Sequence, residues 1–300
     1  MVSNNRHTSP EAQTPEAGQP LSFEYYVAGC FDLLGQEDRL RDVRSLPSSE
    51  EEEHRFMAAF RDTVDAVCGF RQWFNEYFSR YIDTPCPPQL EQFLGPSQFK
   101  ETLEVGQIDR MKLQAFSDTI IVFFPLGNSF KKVQWGAIHA VLCACALLIP
   151  EFLAKGIPIR GAVELGLGVE ISDGDLYGAV LSETVRLEKN AGYPRILAGK
   201  ALVDFVRNNA PAPQYWFEKD DTCDDRFIVD YAGKFSRQPG NAFLKGALTK
   251  AQQYAHTELA RHKQELGRFA PDELDRSKKK EKLVDYYQKL TRYLDSRLCK

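Results

Sequence analysis

Tyr26-Val-Ala-Gly-Cys-Phe-Asp-Leu-Leu-Gly35 is an apolar, strand-like run that contains a single carboxylate, Asp32. A second apolar run, Phe116-Ser-Asp-Thr-Ile-Ile-Val-Phe-Phe124, carries Asp118 near its start. A carboxylate in such a run is costly to bury unless a cation or hydrogen bonds compensate its charge. An arginine on a later strand and the turn Gly174-Asp-Leu-Tyr-Gly178 follow these two runs. The combination suggests one metal-dependent, phosphate-binding site.

The strand and helix signals around these runs predict an α/β (α+β) fold with a mixed, mainly antiparallel sheet flanked by helices. Apolar residues recur at three- and four-residue steps over 55–81, after four glutamates, so a long amphipathic helix is expected there. The apolar segment 133–154 predicts a second flanking helix. Further predicted helices cover 180–190, 201–208 and two segments after 241 that are separated by Pro271, and predicted strands cover 23–32, 107–116, 119–124, 157–171 (one strand or a hairpin), 195–197, 215–218 and 226–231.

Length and composition are those of an ordinary globular chain. The 300 residues, of which 43% are hydrophobic and 27% charged, allow one large or two small domains with a buried core. We expect a disordered tail at 1–20, a main domain at 21–235 and a helical C-terminal extension at 236–300. The net charge of −4 gives no reason to expect nucleic acid as a partner.

Three observations indicate a cytoplasmic protein without a membrane partner. Residues 1–20 lack the charged-then-apolar pattern of a secretion signal. The apolar run 137–154 contains His139, Pro150 and Glu151, and we expect it to fall short of the roughly 18–20 apolar residues of a membrane span. The seven cysteines show no Cys-x-x-Cys pair and no zinc-binding spacing, so reduced thiols are expected.

Four motifs, taken in chain order, resemble those of class III nucleotidyl cyclases. Phe31-Asp-Leu-Leu-Gly35 resembles the first metal motif of that family, and Asp118 resembles its second metal aspartate. Arg160-Gly-Ala-Val-Glu-Leu-Gly166 resembles the Arg-x-x-x-x-x-Gly strand, whose arginine handles phosphate. Asp175-Leu-Tyr-Gly-Ala-Val-Leu-Ser-Glu-Thr-Val-Arg186 follows the pattern Asp-x-x-Gly-x-x-x-Asn-x-x-x-Arg with one substitution. The resemblance implies a cyclase domain with a mixed sheet.

The resemblance to class III nucleotidyl cyclases covers roughly 22–232. Departures from the family pattern indicate which subgroup of the family this chain resembles. Gln114 stands where adenylyl cyclases keep a lysine, four residues before the second metal aspartate, and Ser182 replaces the transition-state asparagine. With Gly174-Asp-Leu-Tyr-Gly178 and Leu187-Glu-Lys-Asn-Ala-Gly-Tyr-Pro-Arg-Ile196, these changes resemble the pyrimidine cyclases of bacterial Pycsar anti-phage systems. The resemblance implies conversion of UTP to cyclic UMP, or of CTP to cyclic CMP, and a separate effector that reads the product.

The resemblance also assigns metal and catalytic roles. Asp32 and Asp118, with the Leu33 carbonyl, would hold two Mg²⁺ or Mn²⁺ ions, which prefer hard oxygen ligands. The residues expected to contact phosphate or ribose are Arg160, Ser182 and Arg186. The plainer alternatives are turn or cap aspartates, a structural ion pair for the strand arginine, and a solvated helix face for the last two. Serine also lacks the reach of asparagine, which weakens the ribose role.

Gln114 and Asp175 are the candidate base-reading residues, with Tyr177 as a further substrate contact. A uracil edge offers one N–H donor between two carbonyl acceptors, and a glutamine amide with an aspartate can satisfy it. A cytosine edge, with its ring-nitrogen acceptor and amine donor, pairs with the same two side chains in another arrangement. The edge chemistry therefore leaves the base open, and UTP is favoured weakly.

The expected quaternary structure is a homodimer with composite active sites. On one face of a strand, Gln114 and Asp118 would lie roughly 13 Å apart, too far to serve the base and the metal-bound phosphates of one nucleotide conveniently. The family solution is a head-to-tail dimer in which one protomer holds the metals and the other reads the base. The competing hypotheses are a purine cyclase, a cyclase-like domain without catalysis that binds nucleotide and signals, and a helical adaptor built on 241–300.

Overall fold

The computed structural model describes residues 21–36, 40, 43, 46–82, 110–129, 133, 135–210, 213–220, 226–233, 236–237, 244–268 and 274–298. The strands are β1 (Glu24–Leu33), β2 (Lys112–Phe116), β3 (Thr119–Gly127), β4 (Ile159–Glu170), β5 (Leu176–Tyr177), β6 (Ile196–Ala198), β7 (Phe217–Lys219) and β8 (Phe227–Val229). The α-helices are α1 (Glu50–Ile82), α2 (Trp135–Ala154), α3 (Ala179–Glu188), α4 (Lys200–Asn209), α5 (Leu244–Leu266) and α6 (Leu274–Leu298). The predicted tail at 1–20, the first part of the strand predicted from 107, and Pro271 lie outside the described residues.

The described strands form one eight-stranded sheet in the order β2-β3-β1-β4-β6-β8-β7, with β5 paired to the end of β4. Paired strands run antiparallel except β4 and β6, which are parallel. The prediction of a mixed, mainly antiparallel sheet flanked by helices is therefore confirmed. The segment predicted as one strand or a hairpin is a single strand, β4, whose last residues pair with the short β5.

One face of the sheet carries the main hydrophobic core. Phe31 of β1 contacts the rings of Phe70 and Phe74 of α1, at centroid distances of 5.2 and 5.9 Å. The C-terminal helices contribute to the same core through buried residues such as Leu248 of α5 and Leu290 of α6. The α5–α6 hairpin thus packs on the same core as the sheet. The apolar area that it buries there helps to stabilise the fold.

The helix α2 lies at the centre of this core. With its 20 residues it is long and apolar enough to cross a membrane, which corrects the expectation that this segment falls short. However, 83% of its most apolar window is buried inside the fold, where α1 and α5 pack against it. It is the one helix of this kind in the described part of the chain. A helix that is apolar all round is typical of a buried core helix as well as of a membrane span.

The helix α3 covers the opposite face of the sheet. Tyr26, Ala28 and Cys30 of β1 form a second, smaller core with Val180 of α3. The helix lies so close to β4 that a Cβ atom added at Gly166 would come within 3.3 Å of the Val180 side chain. Alternate residues of a strand point to the same face, so Asp32, two residues after Cys30, points to the face on which Cys30 lies. The first predicted metal aspartate therefore faces the α3 side of the sheet.

The helix α1 confirms the predicted long amphipathic helix and begins at the four glutamates. Phe56, Phe70 and Phe74 are buried as the periodicity predicts. Two residues of the same apolar pattern are not buried: Phe60 is 52% exposed and Val64 is 40% exposed. The apolar period indicates which residues share a helix face, but it does not indicate how much of that face the rest of the fold covers.

Candidate active site

The two predicted metal aspartates lie side by side at one end of the sheet. Asp32 is the penultimate residue of β1 and pairs across the ladder with Arg160 of β4. Asp118 lies in the two-residue turn between β2 and β3, where Ser117 has a φ of 60°, as a tight hairpin requires. The turn lies between the two strands that the sequence predicts at 107–116 and 119–124. The Leu33 N–H donates a 3.0 Å hydrogen bond to the Asp118 carbonyl, which ties the end of β1 to the hairpin turn.

The electrostatic environment of Asp32 is that of a partly buried carboxylate among other charges. Burial raises the pKa of Asp32 to about 6, although its side chain remains 16% exposed. Arg160 opposes this rise with its positive charge and an ion pair of 2.8 Å between Nη2 and Asp32 Oδ2. The carboxylates of Asp118 and Glu188 add to the rise by repulsion. The two predicted metal aspartates are therefore close enough for the charge of Asp118 to act on Asp32.

Arg160 bridges two carboxylates. Its Nε lies 2.8 Å from Glu188 Oε1, in addition to the contact with Asp32. Glu188 lies on the buried face of α3, four and eight residues after the buried Thr184 and Val180. The sequence analysis did not identify this glutamate, although a carboxylate at a buried helical position is a signal that could have found it. In one chain, the arginine predicted to handle phosphate is thus held by an ion-pair network.

The donor set of this site fits a divalent cation. Asp32 and Glu188 share one guanidinium, Arg160, and the charge of Asp118 also acts on Asp32, so these carboxylates outnumber their cation. The Asp118 carboxylate receives no hydrogen bond and no ion pair from the described residues. Within the same described residues there is no cluster of three or more His, Cys, Asp or Glu side chains arranged for a metal. Mg²⁺ is commonly bound by one or two carboxylates together with substrate phosphates, and Asp32 with Asp118 meets that requirement.

The two candidate base-reading residues are in direct contact. Gln114 of β2 donates from Nε2 to Asp175 Oδ1 at 3.2 Å and to the Gly174 carbonyl. Ser172 Oγ donates to the other carboxylate oxygen of Asp175 at 2.8 Å, and Gly174 has a φ of +87°. The turn between β4 and β5 therefore presents Asp175 beside the edge strand β2. Residues about 60 positions apart in sequence form one polar pair.

The remaining predicted site residues are exposed. Tyr177 is 68% exposed on β5. Ser182 Oγ donates to the Gly178 carbonyl at 3.2 Å, and Arg186, whose side chain is 62% exposed, pairs with Glu183 of the same helix.

The orientation of α3 directs the Arg186 side chain away from the two aspartates. Glu188 points at Arg160, and residues two apart on a helix differ in direction by roughly 200°. Arg186 therefore faces away from the aspartates of its own chain.

The separation expected between the base-reading and metal-binding residues needs one correction. Asp118 is a turn residue and does not continue the strand that holds Gln114, so the roughly 13 Å distance along one strand does not apply. In the ladders, Gln114 pairs with Ile121, which pairs with Cys30, so Gln114 is two strands across and two residues along from Asp32. These strand spacings correspond to roughly 12 Å between Cα atoms.

Comparison with known proteins finds similar solved structures, and three of them are nucleotidyl cyclases. No protein-family model matches the chain, and no curated protein matches it. The adenylyl cyclase CyaB from P. aeruginosa is 14% identical with a TM-score of 0.38, covering 71% of this chain and 96% of its own. The catalytic core of a rhodopsin-guanylyl cyclase with converted specificity, in complex with ATPαS, is 11% identical with a TM-score of 0.40, covering 69% and 96%. The guanylyl cyclase Cya2 is 15% identical with a TM-score of 0.34, covering 72% and 95%.

Proposed function

We propose that this protein is a nucleotidyl cyclase that converts UTP to 3′,5′-cyclic UMP and pyrophosphate. The observation that supports this most is the convergence of Asp32 and Asp118 beside Arg160 at the end of β1. Asp118, which has no ion pair within the described residues, acts on Asp32 by repulsion, and a bound divalent ion would balance the charge of the two carboxylates. Two Mg²⁺ or Mn²⁺ ions per site are the proposed cofactors.

In the proposed reaction, the ribose 3′-oxygen forms a bond to the α-phosphorus, and the bond to the bridging oxygen of the β-phosphate breaks. Pyrophosphate leaves with that oxygen, and the hydroxyl proton passes to solvent. Asp32, Asp118 and the Leu33 carbonyl would hold the divalent ions through oxygen ligands. When bound, such ions would lower the pKa of the attacking hydroxyl and neutralise the phosphates. Arg160 orients Asp32 and offers its remaining N–H groups to phosphate oxygens.

The base preference rests on the Gln114–Asp175 pair. An amide and a carboxylate held together can present both a donor and acceptors to a pyrimidine edge, with Tyr177 beside them on β5. The resemblance to pyrimidine cyclases favours UTP, with CTP as the second candidate. In this proposal the product acts in the cytoplasm as a second messenger in antiviral, anti-phage defence, and a separate effector reads it.

The proposed active form is a homodimer with composite sites. Arg186 faces away from the aspartates of its own chain and Ser182 is exposed, which supports a site in which these two residues come from a second chain. The separation of Gln114 from Asp32 by two strands supports the same division of labour. In a head-to-tail pair, each protomer offers metal ligands to one site and the exposed helix face to the other.

The test is to incubate purified full-length protein with each of the four nucleoside triphosphates and Mn²⁺, and to identify products by mass spectrometry. We expect cyclic UMP, and Asp32→Asn and Asp118→Asn should each lower the turnover by at least a hundredfold. Asp204→Asn, which changes an exposed aspartate of α4, is the matched control and should leave turnover unchanged. Release of no cyclic product from any triphosphate would favour the alternative of a nucleotide-binding domain without catalysis.

A further inference from the structure

A cavity of about 770 Å³ lies between the α5–α6 hairpin and the end of the sheet that carries the aspartates. We call it the C-terminal cavity. Its wall on the sheet side includes Gly35 and Arg160, and its wall on the helical side includes Tyr254, Arg261, Lys280, Lys282 and Tyr286. Arg160 therefore belongs both to this cavity and to the ion-pair network of Asp32.

The charged groups of the C-terminal cavity are mainly positive. Four cations line it, whereas Glu258 is the one carboxylate among the described lining residues. Arg261 pairs with Glu258, and Lys280 pairs with Glu265. Lys282 has no ion pair within the described part of the chain. Arg160 pairs with Asp32 and Glu188, and Arg261 also pairs with Glu265, so among the described lining residues the positive charge left without a carboxylate partner is that of Lys282 on α6.

Tyr286 is the second feature that indicates a ligand. Its hydroxyl oxygen is buried and has no hydrogen-bond partner among the described residues. Tyr286 lines the cavity together with Arg160, so it lies at the end of the sheet that carries the aspartates. A buried hydroxyl without a partner is destabilising, and a ligand oxygen would supply the missing hydrogen bond.

We propose that the C-terminal cavity binds a polyphosphate group, with Lys282, Lys280 and Arg261 as cationic contacts and the Tyr286 hydroxyl as a hydrogen-bond donor. Lysine and arginine bind phosphate oxygens through charge-assisted hydrogen bonds. The occupant is the triphosphate tail of the substrate, and this step rests on the proposed cyclase function. Arg160 connects the cavity to the metal-binding aspartates, so one extended anion can contact both. The helical extension would then hold the leaving pyrophosphate.

The experiment measures binding of inorganic tripolyphosphate to the full-length protein by isothermal titration calorimetry. Lys282→Gln should weaken binding about tenfold, as expected for one charge-assisted contact, and Tyr286→Phe should weaken it by a few-fold. Lys278→Gln is the matched control, because Lys278 is an exposed lysine on the same helix that does not line the cavity. Unchanged melting temperatures establish that the variants fold.

Equal affinities for wild type, Lys282→Gln and Lys278→Gln would overturn the proposal. The source of the phosphate is tested with tripolyphosphate as an inhibitor of UTP turnover. Competition with UTP, and a raised KM in Lys282→Gln, support the substrate tail. Binding without competition would overturn the tail assignment and indicate a site for a separate polyphosphate. Because calorimetry needs no turnover, a Lys282-dependent affinity in a protein that makes no cyclic product would reject the cyclase proposal and retain the cavity.

Discussion

Glu218 of β7 links the sheet to the C-terminal hairpin formed by α5 and α6. Its carboxylate accepts a hydrogen bond from Tyr293 Oη and lies 2.8 Å from Arg297 Nε, both on α6. Burial and the charge of Asp230 raise the pKa of Glu218 to about 7, against the opposing effects of Tyr293 and Arg297. The folded protein therefore binds this proton more tightly than the unfolded chain does, whose glutamates titrate near 4.3.

The raised pKa predicts that ionisation of Glu218 lowers the free energy of unfolding as pH rises from about 4.5 to 7, with no further change above 7. Glu218→Gln removes this titration. The free energy of unfolding of the variant minus that of wild type should therefore be more positive at pH 7.5 than at pH 5, by about 1–3 kcal/mol. Urea denaturation at both pH values measures the difference, with Glu281→Gln, an exposed change on α6, as control. An equal difference in unfolding free energy between variant and wild type at both pH values would contradict the prediction.

At the scale of single elements, α4 depends on a residue from a strand. The helix begins after Gly199, which offers no capping side chain. The buried Glu164 of β4 accepts hydrogen bonds from the N–H groups of Leu202 at 2.9 Å and Leu165 at 2.8 Å. A carboxylate at the positive end of a helix is stabilising. A Cβ atom added at Gly199 would lie 2.0 Å from Glu164 Oε2, so this arrangement requires glycine there.

Two glycine substitutions should therefore have opposite effects. Gly199→Ala forces Glu164 away from the start of α4 and should lower the free energy of unfolding by about 1–3 kcal/mol. Gly246→Ala, in α5, meets no atom within 4 Å and should raise it by about 0.5–1 kcal/mol, because alanine favours helix. Chemical denaturation of both variants measures these changes. A stabilised Gly199→Ala protein would contradict the assigned role of Glu164.

At the scale of the whole molecule, the α3 face of the sheet carries the residues on which the proposed two-chain site depends. Asp32 and Asp118 converge within one chain, whereas Arg186 points away from them. The main core, by contrast, lies on the other face and includes the C-terminal hairpin. The α3 side is therefore the side on which a second protomer would complete the proposed site.

A complementation experiment follows from this division. Asp118→Ala and Arg186→Ala should each be inactive alone. After co-expression, a mixed dimer contains one site with Asp118 and Arg186 both intact, while both lesions fall in its other site. Random assortment puts about half of the dimers in the mixed class, so roughly a quarter of wild-type activity should return. Mixed dimers that are present but inactive would refute the shared site.

Local features of the sequence were sufficient to predict most elements. The apolar runs with Asp32 and Asp118 became β1 and β3, the turn formed at Ser117, and the long helix began at the glutamates. These predictions succeed because strand alternation, helical periodicity and turn residues act over a few neighbouring positions. The sequence also placed Gln114 and Asp175 among the candidate site residues, through motif resemblance.

Only the tertiary structure decided which of these residues meet. Arg160 contacts Glu188 across 28 positions, and Gln114 contacts Asp175 across 61. Tyr286, on the last helix, reaches the neighbourhood of Asp32 at the first strand. Such contacts depend on the strand order, on the ladder register and on the side of the sheet to which each helix packs. Those properties arise from burial of apolar area over the whole chain, so no local pattern contains them.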